Sequence, residues 1–164
     1  MKRTFFFTVL LTVLLSCNEK KKELGSNNVS SFEIANDGWP KKVAINSKAQ
    51  QALKDWVEYN AFETSFDALY TVANREDLSL VIENLIEKQN EMAASTYPEK
   101  FDKPQVKSRQ KVFKTYMLKV KGDLIYRIDP NESILQMIGA YNAFRNQFDV
   151  IVNNTLDTKL ILER

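Results

Sequence analysis

Apolar side chains recur in steps of three and four along four stretches of the chain, which is the period of helices with one buried face. The stretches cover about residues 47–73, 75–95 and 104–128, and a fourth begins near residue 129. No stretch of useful length alternates as a strand would. Short connections favour antiparallel neighbours, so we expect an all-α fold, an up-down-up-down four-helix bundle.

All four helices have recognisable starts, and Asn46 or Ser47 is the expected cap of the first. Asn74 is a suitable N-cap for the second helix, and the acidic Glu76 and Asp77 suit its positive end. Pro104 is favourable at the first position of the third helix. Residues 129–132 offer an aspartate cap, a proline and a following acid, which is the clearest helix start in the chain.

Polar residues interrupt each predicted apolar face: Asn60 and Glu63 in the first helix, then Gln89, Arg109 and Arg145 in the next three. Antiparallel folding would bring these residues to similar heights, so the sequence predicts one polar layer. A buried charge is costly unless it is paired. One interpretation is that Glu63 pairs with an arginine and fixes the helix register. Another is that the five residues face solvent. The third is a site where two arginines against one carboxylate bind a small anionic ligand.

The N-terminal residues have a different pattern. Lys2 and Arg3 precede an apolar stretch at residues 5–15, interrupted only by two threonines. These 11 residues are about half of what a membrane-spanning helix needs, and they match the apolar core of a signal peptide. The stretch ends in Leu14-Leu15-Ser16-Cys17.

Leu14-Leu15-Ser16-Cys17 resembles the lipobox of bacterial lipoproteins, which has Leu, a permissive position, a small residue and Cys. The resemblance implies export, cleavage after Ser16, and a covalent lipid on Cys17 that holds the protein on a membrane. Asn18, where Asp would retain a lipoprotein at the inner membrane, favours the outer membrane. An uncleaved anchor or an ordinary secretory signal is the alternative. The body is similar to the uncharacterised small helical lipoproteins of Gram-negative envelopes.

These patterns divide the chain into three parts. Residues 1–16 are the expected signal peptide, 17–43 the lipidated cysteine with a flexible tether and lead-in segment, and 44–164 the helical domain. Residues 18–31 have little to bury, as is typical of a tether. Phe32, Ile34 and Trp39 are worth burying, and we expect their segment to lie against one end of the bundle.

Composition excludes several function classes. The chain has no His and only one Cys, so a Ser-His-Asp triad, a Cys or His zinc site and an internal disulfide are impossible. Removal of Lys2 and Arg3 leaves 21 basic against 21 acidic residues, and nothing suggests nucleic-acid binding. We expect no cofactor apart from the lipid and no catalytic activity. The alternative that the composition leaves open is an enzyme that uses only carboxylates, such as a glycosidase.

Two roles follow from the sequence. The first is a lipid-anchored structural or interaction protein of the cell envelope, with the membrane and an envelope protein as its partners. The second is a ligand-binding module that uses the polar layer or a cavity between the helices.

Overall fold

The computed structural model describes residues 34–154, and within them the fold is all-α without a β-strand. The expected all-α class is therefore confirmed. The five helices are α1 (Ser47–Leu53), α2 (Val57–Asp67), α3 (Arg75–Ala94), α4 (Pro104–Ile125) and α5 (Asn131–Asn153), and a 3₁₀ turn at Ala68–Thr71 continues α2. The predicted signal peptide, the cleavage position Ser16, the lipidation position Cys17 and the tether at 18–31 lie outside the described residues.

Each long helix packs against the next one in the chain: α2 against α3, α3 against α4, and α4 against α5, while α1 packs against α5. Fully buried aromatic rings fill the space between α2, α4 and α5. The ring of Tyr141 stacks on Phe66 with centroids 3.8 Å apart and lies 5.3 Å from Phe113. No helix among residues 34–154 combines the length and the apolar run needed to cross a membrane.

The prediction of one helix over residues 47–73 is wrong, because the chain leaves the helical path between α1 and α2. The Asn60 side-chain amide donates to the carbonyl oxygens of Leu53 and Lys54, at 3.4 and 2.7 Å, and so satisfies the end of α1. Trp56, the N-cap residue of α2 at this break, is 3% exposed. The apolar spacing continues across the break, which is why the pattern did not reveal it.

The predicted helix starts are close to those observed. The Asn74 side chain caps α3 by accepting a hydrogen bond from the backbone of Asp77 at 2.8 Å, as the sequence predicted. Helix α4 begins at Pro104 as predicted, but it ends at Ile125 rather than near residue 128. Helix α5 begins one residue later than expected, with Pro130 at its N-cap.

Residues 34–46, here called the strap, run along the side of the helices, between α2 and α5. The Ile34 amide donates to the carbonyl of Ala73 at 3.0 Å, and the Val43 amide donates to the side chain of Asn142 at 2.9 Å. Between these points Trp39 is 5% exposed. The expectation that this segment lies against one end of the bundle is therefore wrong, because its backbone groups find partners from Tyr70 and Ala73, at the 3₁₀ turn, to Asn142 and Asp149 in α5.

Candidate functional site

A largely buried ion pair joins α2 to α5. The guanidinium of Arg145 donates to the carboxylate of Glu63, and their side chains are 9% and 19% exposed. The same guanidinium donates through Nε to the carbonyl oxygen of Val43 in the strap, at 2.9 Å. Two helices and the strap therefore meet at one charged group.

Further donors surround the Glu63 carboxylate. The Tyr59 hydroxyl donates to Oε1 at 2.9 Å, and the Tyr141 hydroxyl donates to the same oxygen. Lys42 of the strap lies 3.5 Å from Oε2 and forms a closer ion pair of 2.6 Å with Asp67. The carboxylate has donors on both oxygens, as a buried charge requires.

Burial and the Glu63 charge keep these donors protonated. Burial, reinforced by the negative charge of Glu63, raises the pKa of the Tyr59 and Tyr141 hydroxyls well above the usual value. Burial by itself would lower the pKa of Arg145, but the hydrogen bond to Glu63 and the nearby negative charges raise it overall. The cluster therefore keeps two phenol donors and one guanidinium cation over the whole physiological pH range.

The structure does not bring the five predicted polar residues into one layer. It joins Glu63 with Arg145, whereas Asn60 is exposed and caps the end of α1. Arg109 is also exposed, in a shallow depression beside Gln147. On a helix, the residues three and four positions after a buried residue both lie on its face, so the spacing does not decide which of them is buried. After Val106 the structure buries the residue four positions later. That residue is Gln110, which sequence reasoning missed.

A solvent-open cavity of about 350 Å³ lies beside the ion pair. Arg145 and Glu63 are the two charged residues in its lining, so the cavity is formally neutral. The predicted excess of two arginines over one carboxylate is absent here, because Arg109 lies elsewhere. This geometry does not favour an anion. The lining residues are Ile45, Gln50, Leu53, Tyr59, Asn60, Glu63, Thr64 and Arg145.

A second cavity of about 340 Å³ lies between α3, α4 and the loop that connects them. Gln89 and Gln110 line it, and each is only 2% exposed. Within the described part of the chain, the side-chain oxygen of Gln89 and the side-chain nitrogen of Gln110 have no hydrogen-bond partner. The hydroxyl of Tyr97 donates to the other polar atom of Gln110, its oxygen. Unsatisfied buried amide atoms are rare in folded proteins, and each costs about 1–3 kcal/mol.

Lys107, Lys111 and Asp102 also line this second cavity. Lys107 pairs with Asp102 at 2.5 Å and lies over the Tyr97 ring at 5.0 Å. Lys111 adds a further positive charge. Gln89 is the one residue of the predicted layer found here, so the interior contains two separate polar sites rather than one.

Comparison of the chain with protein-family models, curated protein sequences and solved structures gives no match. Among residues 34–154 no three carboxylate or thiol side chains come together as a set of metal ligands.

Proposed function

We propose that this chain is a lipid-anchored protein of the bacterial cell envelope, with a helical body in a non-catalytic structural or interaction role. The observation on which the proposal depends is the sequence Leu14-Leu15-Ser16-Cys17, which follows a basic start and an apolar stretch of signal-peptide length. Covalent lipid on Cys17 would hold the body at a membrane surface, since two or more acyl chains anchor a protein stably. The outer membrane is the proposed destination because Asn18 follows the cysteine.

The body of the proposed protein is an antiparallel, up-down-up-down helical bundle. Cross-helix contacts support this arrangement, because residue numbers rise on one helix as they fall on its neighbour. The contacting pairs are Tyr59–Phe148 and Glu63–Arg145 for α2 and α5, Glu83–Lys121 and Asn90–Lys114 for α3 and α4, and Lys119–Gln136 and Asp123–Ser133 for α4 and α5.

The ion pair between Glu63 and Arg145 supports a structural role for the bundle centre. The Glu63 carboxylate accepts hydrogen bonds from Tyr59, Tyr141 and Arg145, and the adjacent cavity is formally neutral. A pair of this kind fixes which residues of two helices face each other. In this proposal the charged centre sets the helix register, and partners bind at the outer surface.

Expression of the full chain in a Gram-negative host tests the proposal. Mass spectrometry of the purified protein is expected to give a chain that begins at Cys17 and carries a diacylglyceryl group, recovered in the membrane fraction. A Cys17→Ser variant is the matched control and is expected to lose both lipid and membrane recovery. An unmodified Cys17 or an intact Met1 terminus in the wild-type protein would contradict the anchor.

The cavity at Gln89 and Gln110 favours a second candidate function, the binding of a small carboxylate that also has a hydrogen-bond donor, such as a hydroxy acid or an amino acid. Its donor would satisfy the Gln89 oxygen. Its carboxylate would accept from the Gln110 nitrogen and lie near Lys111.

Thermal unfolding with millimolar hydroxy acids and amino acids tests this second candidate. A binding site predicts a ligand-dependent rise in the Tm of the wild type that is lost in Gln110→Met. Two results together would exclude the site: no compound raises the Tm of the wild type, and Gln110→Met is more stable than the wild type. The two glutamines would then be buried polar residues that bind no ligand.

A further inference from the structure

The turn between α4 and α5 exposes large apolar side chains to solvent. Ile125, Tyr126 and Ile128 are 64%, 78% and 54% exposed. Arg127 lies among them and is also exposed. We call residues 125–128 the tip. Single exposed apolar residues are common on proteins, but a contiguous group of them is typical of a binding surface.

The backbone of the tip gives a second, independent observation. The amide of Ile128 donates to the carbonyl of Asp123 at 2.8 Å, and the amide of Arg127 donates to that of Leu124 at 3.3 Å. These two bonds form a Schellman motif, in which the residue at the Arg127 position takes a left-handed conformation and is usually glycine. Arg127 has a φ of 56°. An arginine therefore occupies a position that favours glycine, and strained backbone of this kind is concentrated at functional sites.

The apolar contact that frequently accompanies a Schellman motif has no apolar side chain to form it on the helix, because the two positions there are Asp123 and Gly122. In that motif the residue after the left-handed position packs back on the preceding helix. Here that residue is Ile128, and more than half of its surface is exposed. Among the described residues no carboxylate lies within ion-pair distance of the Arg127 guanidinium. Within residues 34–154 both side chains are consequently open to solvent.

The tip lies at the end of the body where the strap begins. The Arg75 guanidinium donates to the carbonyls of Asp123 and Ile128, at 2.8 and 2.9 Å. Two residues before Arg75, the carbonyl of Ala73 accepts from the amide of Ile34, the first described residue. Cys17 is 17 positions before Ile34, so the chain between them spans at most about 60 Å. The segment that leads from Cys17 therefore joins the body beside the tip.

We propose that the tip inserts shallowly into the headgroup region of the membrane that holds the lipid on Cys17. This inference rests on the proposed lipid anchor and adds a second membrane contact to it. Tyr126 suits a membrane interface because its ring is apolar and its hydroxyl is polar. Arg127 can bury its stem in the apolar layer and place its guanidinium against lipid phosphate. The tip fixes the orientation of the body, with the opposite end of α3 directed away from the bilayer.

The charged residues near the tip determine whether it prefers zwitterionic or anionic lipids. Glu76, Asp129 and Glu132 are all exposed near this end, and they outnumber the two arginines that also lie there, Arg75 and Arg127. Anionic lipid would therefore be repelled locally, which distinguishes the tip from a basic membrane-binding patch. We expect the tip to insert into zwitterionic phosphatidylcholine and phosphatidylethanolamine surfaces, and to insert less when phosphatidylglycerol replaces part of them.

A fluorophore attached at the tip of the full lipidated chain tests this inference. Cys17 is the only cysteine, so once it is lipidated a Tyr126→Cys substitution provides the one free thiol for an environment-sensitive label. Val57→Cys is the matched control. Val57 is 71% exposed and follows Trp56 in the chain. The Trp56 indole donates to Ser95 at the far end of α3, and the length of α3 separates Ser95 from Arg75 by about 30 Å.

In phosphatidylcholine vesicles that contain spin-labelled lipid, quenching of the label at position 126 is expected to exceed quenching at position 57 at least threefold. Equal quenching at both positions would overturn the proposal. So would a response at position 126 that requires a high protein-to-lipid ratio, because a second copy would then cover the tip. Ile128→Cys repeats the measurement in case the substitution of Tyr126 disturbs the turn.

Flotation of the same samples separates this inference from the anchor on which it rests. Protein that floats with the vesicles while the label at position 126 remains in water would exclude tip insertion and leave the anchor intact. Protein that does not float would contradict the anchor, and with it the tip proposal.

Discussion

The guanidinium of Arg145 donates to the carboxylate of Glu63, a residue 82 positions earlier in the chain. This contact joins the first long helix to the last one, while the strap contacts both partners through Lys42 and Val43. The two helices are held together by side chains, which include the rings of Tyr59 and Tyr141 as well as the ion pair. The pair is therefore the polar centre around which three separate segments of the chain are arranged.

Replacement of Glu63 by Gln is expected to lower the free energy of unfolding by about 3 kcal/mol, because it leaves the buried Arg145 cation without its anion. Urea denaturation measures the change. Arg109→Met is the matched control, and since Arg109 is exposed its effect is expected to stay within about 0.5 kcal/mol.

The double variant Glu63→Leu with Arg145→Met is expected to be more stable than Glu63→Gln, because an apolar pair leaves no unpaired charge. Equal losses for Glu63→Gln and Arg109→Met would contradict the assignment of the pair as the centre of the fold.

Alkaline pH is expected to destabilise the protein through Tyr59 and Tyr141, whose pKa values are raised in the folded state. In the unfolded chain tyrosine ionises near pH 10. Above that pH the unfolded chain releases protons that the folded protein retains, so the stabilisation is complete below about pH 10 and is lost as the pH rises further. Each tyrosine contributes a slope of up to about 1.4 kcal/mol per pH unit.

Urea denaturation at intervals between pH 8.5 and about 11.5 gives this slope, and Tyr59→Phe is expected to reduce it by the contribution of one tyrosine. The comparison uses slopes, since the variant also loses a hydrogen bond to Glu63 at every pH. A slope that is the same in both proteins would show that Tyr59 does not titrate differently in the folded and unfolded states.

Periodicity was sufficient to predict the all-α class, the Asn74 cap and the starts of the later helices, because these depend on local spacing and capping chemistry. Periodicity failed where two neighbouring positions of a helix fit the apolar spacing equally well. Burial after Val106 continues at Gln110 rather than at Arg109, and only contacts with other helices decide between i+3 and i+4. The pairing of Glu63 with Arg145 was one of the interpretations that the sequence left open, whereas a single layer that also contained Gln89 and Arg109 was wrong.

The strap shows a second limit of sequence reasoning. Its apolar residues indicated burial, but its course depends on partners that lie about 30 to 100 positions away in sequence, such as Ala73 and Asn142. No local pattern encodes such contacts. The break before α2 likewise depends on a contact, since the Asn60 amide donates back to carbonyls of the preceding helix. In the sequence, a polar residue with this capping role looks the same as a polar residue of a buried site.

Replacement of Asn60 by Ala is expected to destabilise the protein by about 1 kcal/mol, because the carbonyls of Leu53 and Lys54 lose their side-chain donor. Thr64→Ala, one turn further along the same exposed face, is the control and is expected to change stability by less than about 0.5 kcal/mol. Thermal and urea unfolding of both variants measure the difference. If Asn60→Ala were as stable as Thr64→Ala, the break before α2 would have to be attributed to Trp56 burial alone.

Replacement of Arg127 by Gly is expected to stabilise the domain by about 0.5–1 kcal/mol, because glycine adopts the left-handed backbone at a φ of 56° without strain. Arg127→Ala is the matched control. It removes the same guanidinium but keeps a Cβ, so it is expected to give no comparable gain. Urea denaturation in the absence of lipid measures both, which isolates the backbone from any membrane contact. Equal stability of the Gly and Ala variants would mean that the turn is not strained, and the tip would then lose one of the two observations that mark it as a functional surface.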